Sequence, residues 1–448
     1  MTRAFLIAML LLVGLPAASS RPSPVVHNWA LFGYDTARRD VGPASTGITA
    51  TNVGRLRHRR LTLDGTVDSS PIYVNGKLFV TTTYGRTEAI DAASGRVLWR
   101  FTPPTYAQMA GSYRITNATP VADPSGKSIY AAAPDGEIRK LRVSDGKVLW
   151  TTAITLDPTH EKITSSLNFS RGLVVATTGG YIGDAPPYQG HVVTMFPSNG
   201  RIDHVWNSLC SDRQGLIVPS TCKSSDSAIW SRNGAAVDPA NGDLVIATGN
   251  GPWNGSTDWG DSVLVLSPDA SQLLAHWTPV NQAELNADDT DLGSTSPGLL
   301  PGGYAIQGGK DEILKLVQLH GTPSLLQSLP TPGHGQMFTV PAVWNGSWVF
   351  AATGSGTEGL RFSGGRLHVV WSNPVGGTSP VVAGGLVYVA GQNQLRVYAP
   401  TTGRLLASLP SGPVHWQSPI VVDGLIALAE GNANAHSTTG VLDLYRAR

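Results

Sequence analysis

Short runs of alternating apolar and polar residues follow one another along most of the chain, separated by turns rich in glycine, proline, aspartate and asparagine. Alternation with a period of two is typical of β-strands with one buried face, whereas an amphipathic helix repeats its apolar residues every three to four positions. The pattern therefore predicts a protein built of many short strands joined by tight turns.

One phrase recurs eight times: a small residue, in most copies a proline, and then an apolar strand. Its copies begin at Ser69, Asn117, Ser165, Asn233, Thr295, Thr339, Thr378 and Gln417. Several copies continue through further strands and a D-x-x-[ST]-G-type turn, as in RTEAIDAASGRVLWRF. Each unit takes about 53 residues, slightly more than a usual four-stranded propeller blade, and the excess lies in units three to five.

These repeats predict an all-β fold, an eight-bladed β-propeller of four-stranded antiparallel blades. A four-stranded sheet cannot bury both faces alone, and radial packing of eight such sheets solves this while leaving only short edges. We expect residues 21–448 to form this single domain. Residues 28–40 lack the phrase, and we expect them to pack on the disc or to complete the last blade.

Composition agrees with many turns and few solvated helices. Charged residues make up 14% of the chain, where about 25% is usual, and 51 residues are glycine. The formal net charge is +1 with no long basic run, which gives no support for a nucleic-acid partner. A helical bundle is excluded, and 41% hydrophobic residues with 12 tryptophans are ample for a core.

The first 20 residues have the pattern of a secretory signal peptide: Arg3, an apolar stretch over residues 6–15 and a small-residue region over residues 17–20. We expect a secreted or periplasmic protein with no membrane span and no lipid-accepting cysteine. In an exported chain the only two cysteines, Cys210 and Cys222, are expected to form a disulfide. Their spacing does not fit a metal or redox pair.

The turn and last strand of the repeat have a characteristic form. Residues 89–99 follow A-x-D-x-x-[ST]-G-x-x-L/V-W, and residues 141–150 give a weaker copy. This form resembles the tryptophan-docking repeat of quinoproteins, the family of propellers that bind pyrroloquinoline quinone (PQQ). The resemblance covers nearly the whole chain after residue 20 and implies an eight-bladed disc with an axial site.

About 80 residues resemble the cofactor segment of the methanol and alcohol dehydrogenase quinoproteins. In IWSRNGAAVDPANGDLVIATGNGPWN, Trp230 matches the tryptophan that stacks under the quinone and Asn250 a calcium ligand. In NADDTDLGSTSP, Asp289 falls on the catalytic aspartate, which is also close to the metal, with Asp291 the next candidate. In IQGGKDEILKLV, Lys310 matches the residue that reaches the quinone carbonyls.

Two further residues are matched more loosely, and the chain departs from the family pattern in three respects. Arg114, in SYRITNATPV, is placed at an arginine that anchors a cofactor carboxylate. The family's glutamate ligand to calcium is missing from GGYIGDAPPYQGHV, where only Asp184 can replace it. There is no pair of adjacent cysteines, and the chain is shorter than the typical enzyme.

The resemblance implies a separate chemical role for the metal ion and for each of the matched residues. Calcium prefers carboxylate and amide oxygens, so Asn250 and Asp184 would form part of its shell together with oxygens of the quinone. The metal would act as a Lewis acid, Lys310 would stabilise the developing oxyanion, and Asp289 would accept the hydroxyl proton. Trp230 would hold the flat cofactor by stacking.

Each of these residues also has an ordinary structural interpretation. Trp230 could pack between blades, and Asn250 could occupy a left-handed turn before Gly251. Asp289 lies in an acidic loop that could simply be solvated, and Lys310 follows two glycines as in an exposed hairpin turn.

Two classes of function therefore remain open. One is a PQQ- and calcium-dependent dehydrogenase that oxidises an alcohol or a sugar and passes electrons to an external acceptor, because no C-x-x-C-H haem motif is present. The other is a non-catalytic propeller, a scaffold or ligand-binding protein of the cell envelope. A serine or cysteine hydrolase has no support, since the sequence contains no G-x-S-x-G.

Overall fold

The chain forms an eight-bladed β-propeller, as the repeats predict. The structure, a computed structural model, describes residues 27–447 and contains 34 strands. Thirty-two of them form eight four-stranded antiparallel sheets, and β10 and β13 make a separate small pair. The predicted signal peptide, residues 1–20, lies outside the described residues.

The strands are numbered in chain order, beginning with β1 (Arg57–Leu63). Blade 1 contains β2 (Ile72–Val74), β3 (Lys77–Thr81), β4 (Thr87–Asp91) and β5 (Val97–Phe101). Blade 2 contains β6 (Val121–Ala122), β7 (Ser128–Ala132), β8 (Glu137–Arg142) and β9 (Val148–Ala153). After β10 (Glu161–Lys162), blade 3 contains β11 (Asn168–Ser170), β12 (Leu173–Thr177), β14 (His191–Met195) and β15 (Ile202–Asn207), with β13 (Gly179–Gly180) paired to β10. Blade 4 contains β16 (Ala236–Val237), β17 (Leu244–Ala247), β18 (Val263–Leu266) and β19 (Leu273–Trp277).

Blade 5 contains β20 (Gly298–Leu300), β21 (Tyr304–Gln307), β22 (Ile313–Gln318) and β23 (Ser324–Pro330). Blade 6 contains β24 (Ala342–Trp344), β25 (Trp348–Ala352), β26 (Thr357–Ser363) and β27 (Arg366–Asn373). Blade 7 contains β28 (Val381–Ala383), β29 (Leu386–Gly391), β30 (Gln394–Tyr398) and β31 (Leu405–Pro410). Blade 8 contains β32 (Ile420–Val422), β33 (Leu425–Glu430) and β34 (Gly440–Arg446). Two short α-helices lie in loops: α1 (Tyr106–Met109) and α2 (Gln282–Ala287).

The first strand of the chain completes the last blade and closes the ring. Strand β1 pairs antiparallel with β34, with Leu61 opposite Leu442, so that blade 8 has the order β1-β34-β33-β32. Both residues are buried in one apolar cluster that joins blades 7, 8 and 1. The two ends of the described chain are therefore tied together by main-chain hydrogen bonds.

Tryptophans of the outer strands explain the glycine in the repeat turn. The Trp99 indole nitrogen of blade 1 donates a hydrogen bond to the Val143 carbonyl of blade 2 at 3.0 Å. The ring lies flat against Gly146, whose φ is +73° and where a Cβ would come within 2.5 Å of the ring. Trp371 meets Gly403 of the next blade in the same way. The turn needs glycine for both its left-handed backbone and this close contact.

Residues 28–47 run along the inner strands on one face of the disc. Their main-chain or side-chain hydrogen bonds reach seven of the eight blades, through Tyr73, Ala122, Leu167, Val237, Val343, Val382 and Gly424. At the centre of this segment the fully buried Arg38 donates to the carbonyls of Phe32 and Leu167. Of the two placements expected for this stretch, packing on the disc is the one observed.

Within residues 27–447, the structure contains no helix long and apolar enough to cross a membrane.

Candidate active site

Loops that enter and leave the inner strands of blades 4 and 5 bring four of the predicted residues together. Trp230 lies ahead of β16 and Asn250 follows β17, while Asp291 lies ahead of β20 and Lys310 follows β21. Because an inner strand begins on the face of the disc where its antiparallel neighbour ends, all these loops lie on one face. This is the convergence that the predicted order of residues requires.

Lys310 is held between the two aspartates of the D-T-D segment. Its ammonium donates to Asp289 Oδ1 at 2.8 Å and forms a second ion pair with Asp291 Oδ2. The two carboxylates differ sharply in their surroundings: the side chain of Asp289 is 60% exposed, whereas that of Asp291 is 3% exposed. Of the two candidates, Asp291 is the one that lies inside the site.

Asp291, in the loop before blade 5, also contacts Gly249 and Asn250 in the blade 4 loop. The Asn250 backbone N–H donates to Asp291 Oδ1. A Cβ on Gly249 would lie 2.5 Å from that oxygen and 2.9 Å from the Trp230 indole nitrogen. Glycine is therefore required in the T-G-N-G motif by close packing of the aspartate and the tryptophan. Asn250 does not have a positive φ, so the left-handed turn does not account for it.

Trp230 is half-buried and belongs to none of the apolar clusters between blades within the described chain. The Lys310 ammonium lies 5.7 Å from the centre of its ring, within the range of a cation–π contact. The Trp230 ring is 6.1 Å from Phe338 of blade 6, which in turn is 4.9 Å from Trp416 of blade 8. A row of half-buried aromatic rings thus runs across the axial end of the disc.

Asp184 lies in the loop after β13 and accepts a hydrogen bond from the Tyr188 hydroxyl at 2.9 Å. Burial raises the pKa of Asp184, and the negative charge of Asp289 raises it further, while Tyr188 and Lys310 act in the opposite direction. Arg114 instead donates to the Pro134 carbonyl at 2.9 Å, and the structure records no contact between it and Trp230 or Lys310.

Burial and neighbouring charges tune the acids around Lys310. Burial raises the pKa of Asp291 to about 6, although Lys310 and the Asn250 N–H favour its ionised form. Burial likewise raises the pKa of Asp261 to about 8, with the charge of Asp291 adding to the effect. Burial lowers the pKa of Lys310, but the two aspartates outweigh it and the net shift is upward. The site therefore holds a permanent cation beside a carboxyl that ionises near neutrality.

The oxygen ligands that the chain offers at this site fit only part of what a planar quinone bound with a divalent cation requires. Asn250 has a side-chain amide with no hydrogen bond inside the described part of the chain, and Asp184 offers a carboxylate. Within residues 27–447, only Asp203, His204 and Asp269 form a group of three acidic or histidine side chains close enough to share an ion. That group involves the outer strand β15, so a cation beside Asn250 would need oxygens from a bound ligand to complete its shell.

The disulfide predicted between Cys210 and Cys222 is present and braces the segment that leads to Trp230. Gln189 ties the cross-linked loop to blade 3 by accepting from the Leu209 N–H at 3.1 Å. At the end of the loop, the Ser227 N–H donates to the Asn250 carbonyl at 2.6 Å. The cross-link thus stabilises the loop on which both Trp230 and Asn250 depend.

Sequence reasoning missed a set of residues at the axial end, and the repeat itself contains the signal that locates them. Asp68, Asn117, Phe338 and Trp416 each stand three positions before the proline of their copy of the phrase. All four lie at the axial end of the inner strands, where they contact residues of other blades. Arg232, three positions before Ala235 at the start of a copy that lacks the proline, lies there as well.

The comparisons with known proteins agree with this fold. A family model described as outer membrane protein assembly factor BamB matches residues 48–247. The dehydrogenase subunit of alcohol dehydrogenase (quinone) from Gluconobacter oxydans strain 621H is 23% identical over 292 residues, which cover 57% of this chain and 38% of that protein. Quinohemoprotein alcohol dehydrogenase ADH IIB from Pseudomonas putida is 25% identical over 300 residues, or 58% of this chain and 42% of that one. The match spans about two fifths of the length of these relatives.

Two solved structures show how far the fold is shared. A europium-containing methanol dehydrogenase superposes with a TM-score of 0.72 and 15% identity, covering 94% of this chain and 98% of that one. BamB from Moraxella catarrhalis superposes with a TM-score of 0.56 and 12% identity, covering 88% and 100%. The resemblance to the quinoprotein-like eight-bladed propellers is thereby confirmed at the level of repeat and fold.

Proposed function

We propose that this quinoprotein-like eight-bladed propeller is an exported dehydrogenase that uses PQQ and calcium to oxidise an alcohol or a sugar. The observation that supports this proposal is the convergence of Trp230, Asn250, Asp291 and Lys310. They come from four segments spread over about 80 residues of sequence and meet at one axial site. Ordinary blade packing gives no reason for a lysine, a buried aspartate and a half-buried tryptophan to meet there.

In this proposal Trp230 stacks against the flat cofactor, and Asn250 and Asp184 offer oxygens to the calcium ion. Bound PQQ would supply the quinone carbonyl that accepts a hydride, a reaction for which no protein side chain is suited. Lys310, kept protonated by its two aspartates, provides a positive charge next to the stacked ring.

We assign the role of general base to Asp291, the second of the two candidates from the sequence. A base works best when its pKa lies close to the working pH, and burial brings the pKa of Asp291 to about 6. Asp289, on which the family's catalytic position falls, is largely solvated and pairs with Lys310. Its proposed role is to orient the lysine.

The experiment that tests this function measures dye-linked oxidation by the protein loaded with PQQ and calcium, using a panel of primary alcohols and aldose sugars. Asp291→Asn should lower the rate at least about a hundredfold, because general-base contributions are typically 10²–10⁴-fold. Asp289→Asn should lower it less than about tenfold. Asp288→Asn, on the exposed neighbour in the same loop, is the matched control and should leave the rate unchanged. Equal activity in all three variants would contradict the assignment of the base.

The non-catalytic alternative has its own support. The matching family model is described as an outer membrane assembly factor, and the chain lacks both the adjacent cysteines and the glutamate of the dehydrogenase pattern. Under this alternative, the aromatic row and Lys310 would form a binding surface for a ligand or partner without redox chemistry. Absence of PQQ binding in the presence of calcium would favour it.

Export and electron transfer complete the proposal. Residues 1–20 would direct the chain to the periplasm or outside the cell, where Cys210 and Cys222 can oxidise. In this proposal electrons pass to an external acceptor.

A further inference from the structure

A second charged cluster lies at the axis, on the segments that lead into the inner strands. Arg232 comes from blade 4, and its guanidinium Nη2 lies 3.3 Å from Asp68 Oδ1 at the start of blade 1. His415 of blade 8 approaches the other oxygen of Asp68 at 2.8 Å. The fourth member, Lys162 on β10, pairs with Gly179 of β13. A Cβ on Gly179 would lie 3.2 Å from the Cβ of Trp230, which stands two residues before Arg232.

Asp68 is already engaged by four donors, and Lys162 is not among them. Besides Arg232 and His415, its carboxylate accepts from the Asn117 amide at 3.0 Å and from the Ala433 N–H at 2.9 Å. Three of these donors share Oδ2 and Arg232 alone reaches Oδ1, and the carboxylate is entirely buried.

Lys162 is a buried cation without a partner. The residue is 8% exposed, and within residues 27–447 its ammonium has no hydrogen bond and no ion pair, while the nitrogen atom itself keeps some contact with solvent. Its neighbour Glu161 is engaged elsewhere, by the buried His191 ring at 3.0 Å. Burial lowers the pKa of Lys162 to about 7, and the positive charge of Arg232 adds to the effect. Lysines are almost never buried in this way unless they are paired.

The cluster therefore has one more basic side chain, counting Lys162 and Arg232, than it has carboxylates, and it adjoins the aromatic row. The His415 ring is 5.0 Å from Trp416, and Trp416 is 4.9 Å from Phe338. A negatively charged group placed between Lys162 and Arg232 would supply the missing counter-charge. An aromatic system attached to that group would lie over the rings.

We infer that Lys162 and Arg232 form an anion subsite that binds a carboxylate of a planar aromatic ligand at the axis. The identification of that ligand as PQQ, which has three carboxylates, rests on the proposed function. The subsite itself rests on the unpartnered lysine and on the adjoining aromatic row. Lys162 is the residue to test, because removal of Arg232 would also leave Asp68 without its arginine.

The test uses two probes, benzene-1,3,5-tricarboxylate without metal and PQQ with calcium, with affinities measured by calorimetry. The wild type should bind the tricarboxylate, and Lys162→Met should bind it at least about tenfold more weakly, because a charge-assisted hydrogen bond is lost. Lys147→Met, on an exposed turn of blade 2, makes the same change in charge and should bind like the wild type.

A second measurement separates ligand binding from a structural role. Without ligand, Lys162→Met should have a melting temperature equal to or above that of the wild type, because an unpaired buried charge is removed. A clear loss of thermal stability, or equal tricarboxylate affinity in both proteins, overturns the subsite. No tricarboxylate binding by the wild type overturns it as well.

The outcomes distinguish the subsite from the proposed function. If the wild type binds the tricarboxylate through Lys162 but does not bind PQQ, the subsite stands and the dehydrogenase proposal fails. If PQQ binds the wild type and Lys162→Met equally well, the dehydrogenase proposal stands and the subsite fails.

Discussion

Arg232 and Asp68 meet at the propeller axis although 164 residues separate them in sequence, with Nη2 3.3 Å from Oδ1. The contact links blade 4 to blade 1, on nearly opposite sides of the ring. Asp68 is fully buried and Arg232 largely so, and the same carboxylate also holds His415, Asn117 and Ala433. Asp68 is therefore the central acceptor of a network that spans the disc.

Replacing Asp68 by Asn should destabilise the protein strongly. The change leaves Arg232 with no carboxylate partner inside the disc, and breaking a buried ion pair in this way costs about 3–5 kcal/mol. Urea unfolding followed by tryptophan fluorescence measures the difference. Asp145→Asn removes one side of the exposed pair with Arg142 and should change stability by less than about 1 kcal/mol. Equal losses in the two variants would mean that the axial network is not a stabilising element.

The sequence predicted the fold well because each blade is specified locally. Strand alternation and the turn glycine recur along the chain, the docking tryptophan recurs in several copies, and the contact of Trp99 with Gly146 requires only the next blade. The placement of residues 28–47 could not be decided, because their partners are main-chain groups of seven blades and leave no side-chain pattern.

The sequence predicted only the part of the site that a local segment specifies. Trp230, Asn250 and Lys310 belong to a recognisable segment, whereas the choice between Asp289 and Asp291 depends on burial that only the folded loop defines. The axial cluster was missed because Lys162, Arg232 and Asp68 become neighbours only when the ring closes.

Asp261 should make the metal-free protein less stable as the pH rises. Its usual pKa is 3.8, and burial raises the pKa of Asp261 to about 8 in the folded state. Between these values the folded chain binds a proton that the unfolded chain releases, so its stability falls from about pH 4 to about pH 8 and is then level. Asp261→Asn keeps the shape and the positive φ of the residue and removes the charge.

Unfolding free energies at pH 5 and pH 8 provide the measurement for Asp261. The wild type should lose more stability between the two pH values than Asp261→Asn does. The same loss in both proteins would show that Asp261 ionises normally.

Removing the cross-link between Cys210 and Cys222 should cost about 3 kcal/mol of stability. Two cysteines 12 positions apart close a loop of about the length for which chain entropy predicts that value. The double variant with serine at both positions should therefore unfold at a lower urea concentration than the wild type. Wild type treated with a reducing agent should behave like the double variant, and unchanged unfolding in both would contradict a stabilising role.

Oxidation of the substrate should lose rate at acid pH through Asp291. If this residue is the base, its protonation at acid pH removes it, and kcat/KM should fall about tenfold for each pH unit below its pKa in the loaded enzyme. The pH profile of dye-linked oxidation between pH 4.5 and 8 provides the measurement. A profile that stays level down to pH 4.5 would exclude Asp291 as the base.

The central claim is that the axial site holds PQQ over Trp230, and calorimetry of PQQ binding with calcium present tests it most directly. We expect one molecule of PQQ to bind per chain, and Trp230→Leu to bind about two- to twelvefold more weakly, because an aromatic contact is worth about 0.5–1.5 kcal/mol beyond its area. Trp344→Leu, on the inner strand of blade 6, is the matched control and should bind as the wild type does. No heat of binding by the wild type, or equal affinity in Trp230→Leu, would contradict the account.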